Sequence, residues 1–346
     1  MEKSLKIKLF CLDNIIWFIL CGFVLICSMF VPHFSSYKNI INILYHSSVL
    51  SMLVLAEGLT LMSGHFDLSI ESTLAFAPAI GALIATKWLP GIHPIIPIFI
   101  TFLVGAGIGL FNGVCVAKVK INPFLQTLSM LIILRGIVLF LIPFSISDLP
   151  ESFIFLGGSR IVMNIPVAVF VMFIIYFLFR FVFRRTRYGR LFIATGGNKE
   201  ASFIAGVNTE KVIISAFILS GLLAAMSGVL VTGRQNAVTN AMGTNWVLLA
   251  FAGAVLGGVS LSGGKGTIMG ILGGALFLGT IDNVLTLAGL NVFLVYATKG
   301  FLIFIAIVLD QFKTKFRSSI LRKEELKIIK KKFGFEKQTN KIQSEL

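Results

Sequence analysis

The sequence predicts an all-α, polytopic membrane protein of about ten transmembrane helices. Hydrophobic residues make up 56% of the 346 residues and charged residues only 13%, whereas soluble domains average about 25% charged residues. The mean hydropathy is +0.93. Apolar runs of about 17–25 residues recur along the chain, and each is long enough to cross a bilayer as a helix.

Ten apolar runs, separated by polar or glycine-containing segments, predict the membrane spans. The third and the eighth runs are short and rich in small residues, so tilted or broken helices and a count of nine or eleven stay open. The predicted spans are Asn14–Val31, Ile40–Met62, Ile70–Thr86, Pro94–Ala117, Phe124–Pro143, Ile165–Phe183, Val212–Val231, Trp246–Val259, Ile268–Leu287 and Val292–Leu309.

The positive charges predict the orientation. With a cytoplasmic N-terminus, 24 of the 30 lysines and arginines lie in cytoplasmic segments, where such residues are enriched in membrane proteins. Two more fall within spans, and the remaining four lie outside. These four are Lys38, Lys87, Arg160 and Arg234. We therefore expect a multi-pass protein of the bacterial cytoplasmic (inner) membrane with both termini in the cytoplasm.

This orientation divides the chain into three parts. Residues 1–12 form a cytoplasmic N-terminus, residues 13–310 a transmembrane domain, and residues 311–346 a basic cytoplasmic tail. The tail carries eleven positive charges against four carboxylates. Such a tail is attracted to anionic membrane lipids, and no nucleic-acid recognition motif accompanies the charge.

The longest cytoplasmic loop, residues 184–211, contains a basic stretch and a predicted short helix. Residues 199–205 fit a helix with Asn198 as its N-cap and Gly206 as its C-cap. A capped helix held between two spans suits docking into a groove on a partner. An ordinary basic loop that only fixes the topology is the alternative.

Polar residues in and after the second span are further candidates. In residues 64–69, Asp67 or Ser69 can cap the following helix. Glu57, inside the second span, should face a cavity or a partner rather than lipid, although a purely structural carboxylate fits equally well.

Glycine is dense between residues 251 and 279. Gly266, Gly270 and Gly274 recur at every fourth position, which predicts a bare stripe along one helix face for close helix packing. A transport pathway bordering this stripe is a further hypothesis.

Catalytic and cofactor motifs are missing from the sequence. The segment Gly263–Thr267 lacks the spacing of a phosphate-binding loop, and the four histidines are scattered without metal-ligand spacing. We therefore expect no catalytic residue, no metal and no cofactor bound by this chain.

Four segments together resemble the permease subunits of ribose-type ABC importers, a family that also includes xylose, galactose and autoinducer-2 transporters. Residues 64–69 read G-H-F-D-L-S, similar to the family's G-G-I-D-L-S. The other three segments are residues 122–136, the loop with Gly-Gly-Asn at 196–198, and residues 256–266. The resemblance runs from about Leu53 to Asp310 and implies the ABC importer permease fold of the branched-chain and ribose permease superfamily.

The resemblance also implies partners and site residues. The partners are two ATP-binding cassette ATPase subunits, which hold ATP and Mg²⁺, a second copy or paralogue of the permease, and an extracytoplasmic sugar-binding protein. Glu200-Ala-Ser202 with Gly206 is similar to the E-A-A-x-x-x-G coupling motif, with Ser202 replacing the second alanine. The implied coupling residues are Arg187, Gly189, Arg190, Gly197, Asn198, Glu200, Ala201, Ser202 and Gly206.

A second set comprises pathway or structural candidates. They are Glu57, Gly64, Asp67, Ser69, Arg135, Gly266, Gly270, Gly274, Asp282 and Asn283. The sequence departs from the family pattern at His65 and Glu71, where glycines are frequent, and at Asp282, where asparagine is usual. Arg135 and Lys299 are both conceivable partners for Asp282.

The expected activity is transport of a simple sugar (ribose-, xylose-, galactose- or autoinducer-2-like) by alternating access, driven by ATP hydrolysis in the partner ATPase. A permease for nucleosides or branched-chain amino acids is the nearest alternative. A proton-coupled secondary transporter would use Glu57, Asp67 and Asp282 as relay groups. A membrane receptor or scaffold without transport is the remaining alternative.

Overall fold

The computed structural model describes residues 14–291, 293–295, 297–301, 304–305 and 308. These residues form α-helices joined by short connections, and within them the only β-structure is two isolated bridges. The helices are α1 (Ile15–Phe30), α2 (Tyr37–Met62), α3 (Ile70–Leu83), α4 (Ile95–Ala117), α5 (Pro123–Leu141), α6 (Glu151–Gly158), α7 (Val167–Arg185), α8 (Arg187–Gly197), α9 (Lys199–Ile204), α10 (Thr209–Gln235), α11 (Trp246–Leu256) and α12 (Ile268–Leu287).

The all-α prediction is confirmed, and several helices are long and apolar enough to cross a membrane. Among the described residues, six helices meet both conditions: α2, α4, α5, α7, α10 and α12. α1 and α11 are shorter, and α3 has 14 residues followed by a π-helical turn at Ile84–Trp88. Seven of the 18 residues of the predicted tenth span, and all of the predicted 1–12 N-terminus and 311–346 tail, lie outside the described residues, so the structure gives a polytopic fold without fixing ten crossings.

Two long helices, α2 and α10, occupy the centre of the bundle. Almost every residue of α2 from Ser47 to Met62 is buried. α4 packs on α10 through glycines on both helices: a Cβ at Gly105 would lie 2.5 Å from the carbonyl oxygen of Gly221. Small residues of this kind let helices approach closely in a membrane, where hydrophobicity does not drive association.

The two ends of the bundle differ. We call the end that carries α8 and α9 the arginine-rich end, because Arg184, Arg185, Arg187 and Arg190 lie there. α2 ends at this end and α10 begins there. The other end, where α2 begins and α10 ends, is called the opposite end.

The elements around α2 and α10 repeat in opposite directions. Each long helix is followed by a non-helical connector and a short helix: residues 63–69 and α3 after α2, and residues 236–245 and α11 after α10. We call the part from α2 to α5 the first half and the part from α10 to α12 the second half. The next helix of each half packs on the long helix of the other: α4 on α10, and α12 on α2. Inverted repeats with broken helices are typical of transporters.

Both short helices begin inside the bundle. Ser69, at the start of α3, shares a hydrogen-bonded network with Ser220, which is roughly 17 Å along α10 at 1.5 Å per residue. The start of α11 contacts the first turn of α3, since the backbone N–H of Val247 donates to Glu71 at 3.3 Å. The connectors therefore enter the bundle from its two ends, and the N-termini of α3 and α11 meet within it.

Candidate functional site

The predicted short helix in the 184–211 loop is present as α9. The Oδ1 atom of Asn198 accepts the backbone N–H of Ala201 at 2.8 Å, and Gly206 follows the helix with a φ of +83°. The N-cap matches the prediction, whereas the helix ends at Ile204 with Ala205 as its C-cap and Gly206 one residue beyond. Two apolar side chains at the end of α9, Phe203 and Ile204, are 70% and 84% exposed, which was not predicted from the sequence.

The preceding stretch, interpreted from sequence as loop, forms a second helix, α8. Its aromatic face packs on α7: the ring centroid of Phe192 lies 5.0 Å from that of Phe183. Gly189 lies directly against the backbone of Phe183, and the hydroxyl of Tyr188 hydrogen-bonds to Ser215 of α10 at 2.7 Å. α8 is therefore fixed to the bundle, while Arg187 and Arg190 point into solvent.

Three chain segments meet at the arginine-rich end without intervening side chains. We call this contact the glycine junction; it consists of Gly64, Gly196, Gly197, Gly263 and Gly264. The backbone N–H of Gly264 donates to the carbonyl of Met62 at 3.0 Å, and Gly196 lies directly against that same carbonyl. A Cβ at Gly263 would lie 2.8 Å from the Cα of Gly64.

The glycine junction joins the α8–α9 segment to both halves of the bundle. Gly64 follows α2, Gly196 and Gly197 end α8, and Gly263 and Gly264 belong to the α11–α12 connection. Because backbone touches backbone, no side chain separates α8 from the segments that follow α2 and precede α12. Gly197 was among the residues implied by resemblance, while Gly196, Gly263 and Gly264 were not singled out as site residues.

The connector before α3 is held by a buried polar network. Asp67 is 1% exposed; its Oδ1 accepts the backbone N–H and the hydroxyl of Ser69 at 3.1 and 2.6 Å, and its Oδ2 accepts the hydroxyl of Ser220 at 2.8 Å. Asn112 donates to Ser69 at 2.9 Å, and Gln126 donates to Asn112 at 3.2 Å.

In this network Asp67, rather than Ser69, supports the start of α3. Asp67 accepts the N–H at the entry to the helix, whereas the side chain of Ser69 makes no capping hydrogen bond. Beside it, burial lowers the pKa of His65 to about 4. The imidazole is therefore neutral near pH 7.

The start of α11 is supported by residues of the other half. Glu71 Oε1 lies 3.2 Å from Nη2 of Arg135, and its Oε2 accepts the N–H of Val247. Arg135 also donates to the backbone carbonyls of Asn240 and Met242, at 2.8 and 3.2 Å. A carboxylate at a helix N-terminus is favoured by the exposed N–H groups and the helix dipole.

The remaining polar candidates, Asp282, Asn283 and Glu57, do not belong to either of these networks. Asp282 pairs with Lys299, whose Nζ lies 2.6 Å from Oδ1, so of its two conceivable partners Lys299 is the one found. Asn283 exchanges two hydrogen bonds with Asn39 of α2, at 2.8 and 3.0 Å. Glu57 is fully buried, and within the described residues neither of its carboxylate oxygens has a hydrogen-bond partner.

The predicted glycine stripe is correct for two of its three members. Gly270 and Gly274 on α12 lie against the carbonyls of Gly257 and Gly253, which brings α12 close to α11. Gly266 is not on the helix, because Thr267 caps α12 by accepting the N–H of Gly270 at 3.0 Å. The helix consequently starts at Ile268, two residues after Gly266.

The candidate residues thus form several groups rather than one site. The coupling set lies along α8 and α9 at the arginine-rich end. Gly64, Asp67 and Ser69 lie in the connector before α3, whereas Asp282 and Asn283 lie toward the opposite end. Glu71 was noted in the sequence only as a departure from a family pattern; a carboxylate within a predicted span was the signal that it needed a partner.

Comparisons with known proteins agree with this architecture. The family described as "Branched-chain amino acid transport system / permease component" matches residues 39–309. The chain is 34% identical over 294 residues to the ribose import permease protein of Haemophilus influenzae, covering 84% of this chain and 90% of the relative. It is 29% identical over 302 residues to the L-arabinose transport system permease protein of Escherichia coli, covering 85% and 89%. No solved structure matches the chain.

The matched region runs from α2 through α12 and includes the α8–α9 segment, the glycine junction and both connectors. The relatives are permease proteins, which confirms the expectation of a multi-pass membrane transport component rather than an enzyme. The chain belongs to the permease family described as the permease component of branched-chain amino acid transport systems, which includes the ribose and arabinose importer permeases.

Proposed function

We propose that this protein is the transmembrane permease subunit of an ATP-binding cassette importer that takes up a simple sugar. An ATPase subunit supplies the energy, an extracytoplasmic binding protein delivers the sugar, and a second permease copy or paralogue completes the pathway. The similarity to ribose and arabinose permeases over most of both chains supports the sugar class.

The arginine-rich end faces the cytoplasm in this proposal. Arg184, Arg185, Arg187 and Arg190 cluster there, and such clusters are enriched on the cytoplasmic side. The opposite end, where α6 lies between α5 and α7, faces the binding protein.

The observation that carries the proposal is the form of α9. It presents Phe203 and Ile204 to solvent, although the Asn198 cap and Gly206 fix its ends. Two exposed apolar side chains on a fixed, capped helix in the cytoplasm suit insertion into a groove of a partner. We assign that groove to the ATPase subunit.

The route from α9 to the pathway passes through the glycine junction. Movement of the ATPase subunits shifts α8 and α9, and the backbone contacts of Gly196 and Gly264 pass the shift to α2 and α12. Both of these helices adjoin the short helices that begin inside the bundle. Alternating access then follows from a change in how the two halves meet.

The proton-coupled alternative finds less support in the geometry. Asp67 already accepts three hydrogen bonds and belongs to the connector before α3. Asp282 forms an ion pair with Lys299 toward the opposite end. A relay would need these groups in one continuous path, whereas they lie at different levels of the bundle.

The proposal is tested by reconstituting the permease, its ATPase and its binding protein in proteoliposomes and measuring ATP-dependent uptake of labelled D-ribose and L-arabinose. We expect uptake of at least one of the two sugars, with no competition by leucine. Phe203→Ala should reduce ATPase association and uptake at least tenfold, because an apolar anchor in an interface contributes about 2 kcal/mol or more. Its matched control, Phe140→Ala, removes an exposed phenylalanine of α5 toward the opposite end and should leave both unchanged.

Two results would contradict the proposal. One is uptake by the permease alone, driven by a proton gradient. The other is normal ATPase association and uptake in Phe203→Ala.

A further inference from the structure

A cavity of about 340 Å³ lies between the middle of the bundle and its opposite end. Residues of α2, α10, α11 and α12, together with Lys299, line it. Its polar and aromatic lining consists of His46, Arg234, Gln235, Trp246, Asp282 and Lys299. The cavity adjoins Trp246, the first residue of the half-helix α11, and substrate sites of transporters commonly adjoin such helix breaks.

Two charged groups of this cavity, Asp282 and Arg234, keep hydrogen-bonding capacity for a solute. Asp282 is paired only with Lys299 among the described residues, and its side chain is 36% exposed. A carboxylate has about four acceptor positions, so capacity remains. Arg234 lies against the ring nitrogens of His46 and 5.0 Å from the ring centre of Tyr45; within the part of the chain that is described, no carboxylate oxygen lies within 4.0 Å of it.

This lining matches the chemistry of a monosaccharide. Neighbouring hydroxyl groups each donate and accept hydrogen bonds, and the cavity offers an acceptor in Asp282 and a donor in Arg234. Trp246 adds a flat apolar face for the C–H side of a sugar ring. The volume falls at the lower end of the range for small-molecule sites, about 300–1,000 Å³, which suits a single pentose or hexose.

We propose that this cavity is a sugar-binding site within the permease itself, occupied after the binding protein releases the sugar. The proposal rests on the proposed function and assigns part of the sugar selectivity to this chain. An uncharged simple sugar is the ligand class that the proposed function implies.

The three tryptophans of the chain, Trp17, Trp88 and Trp246, provide a direct test. The double variant Trp17→Phe/Trp88→Phe leaves Trp246 as the only indole, and its fluorescence is recorded in nanodiscs without the binding protein. We expect a saturable change on titration with D-ribose or L-arabinose and none with D-ribose 5-phosphate.

Variants in that single-tryptophan background link the signal to the cavity. Asp282→Asn and Arg234→Gln should each weaken the sugar affinity about tenfold or more, because a hydrogen bond to a charged group contributes about 1.5–3 kcal/mol. Glu151→Gln, which removes an exposed carboxylate of α6 at the opposite end but outside the cavity, should not change it. Arg234→Gln provides a second measurement if Asp282→Asn does not fold.

The outcomes separate this proposal from the proposed function. If the reconstituted importer takes up the sugar but Trp246 shows no saturable change, or if both cavity variants bind it normally, the internal site is wrong and the importer assignment stands. Tighter binding of D-ribose 5-phosphate would overturn the uncharged ligand. If Trp246 responds to sugar but the complete importer takes none up, the importer assignment fails instead.

Discussion

The two connectors that enter the bundle are stabilised in different ways. The one before α3, residues 63–69, carries its own acceptor, Asp67, which binds the N–H of Ser69 two residues later. The one before α11, residues 236–245, relies on a carboxylate from the other half, Glu71, and on Arg135 of α5. The first helix start is therefore capped locally and the second is capped in trans.

Because of this difference, Glu71 connects the two halves of the bundle. The same carboxylate is carried by the first turn of α3 and accepts an N–H at the N-terminus of α11, so it joins the two short helices. Any rearrangement that separates α3 from α11 must break the hydrogen bond between Glu71 and Val247. A locally capped connector, in contrast, can move as a unit with its own helix.

The largest effect is expected when the shared carboxylate is neutralised. Glu71→Gln leaves Arg135 without its charge partner, and removing one member of a buried pair costs about 3–5 kcal/mol. Because Arg135 keeps two backbone carbonyls, we expect a loss of about 3 kcal/mol in the free energy of unfolding, measured by thermal or denaturant unfolding in detergent.

A double-mutant cycle identifies the source of this loss. Glu71→Gln/Arg135→Gln should be less destabilised than the sum of the two single variants, because the second change removes the unpaired charge. Additive effects of the two changes would show that Glu71 and Arg135 act independently, and the trans cap would lose its main support.

A change in the local cap should lower the free energy of unfolding by less than Glu71→Gln does. Asp67→Asn keeps the size of the side chain but removes the charge that accepts hydrogen bonds from Ser69 and Ser220. Charged hydrogen bonds contribute about 1.5–3 kcal/mol, so we expect a loss of about 2 kcal/mol in the free energy of unfolding.

Removing one donor to Asp67 provides the comparison for that variant. Ser220→Ala deletes one of the three hydrogen bonds and should cost about half as much as Asp67→Asn, measured in the same unfolding assay. Equal losses would place the energy in the α10 contact rather than in the cap.

The sequence predicted the first connector better than the second. Residues 64–69 follow an apolar run and contain Asp67 and Ser69, which are typical capping residues. Residues 236–245 are polar, with three asparagines and two threonines, and a polar segment between two spans resembles an exposed loop. The contacts of this segment become predictable only when Glu71 and Arg135 are seen as charges inside predicted spans that need partners.

At the arginine-rich end, too, local features were predictable and contacts between distant segments were not. The ends of α9 were predictable because Asn198 and Gly206 flank a short helical sequence. α8 was missed because its three glycines, Gly189, Gly196 and Gly197, have low helix propensity; contacts with α7 and the glycine junction override that preference. Which glycines meet across the junction depends on three distant segments, and local spacing contains no information on that.

The smallest effect is expected for the pair that supports no helix start. Asp282 and Lys299 are 36% and 24% exposed, and exposed pairs contribute about 0–1 kcal/mol. Asp282→Asn should therefore lower the free energy of unfolding by less than about 1 kcal/mol, and raising the salt concentration should shrink the difference further through screening. Glu71→Gln, measured beside it, should keep most of its effect at high salt because its pair is buried. A loss at Asp282 as large as that at Glu71 would mean that the two ion pairs are structurally equivalent, and burial at a helix start would no longer explain the difference between them.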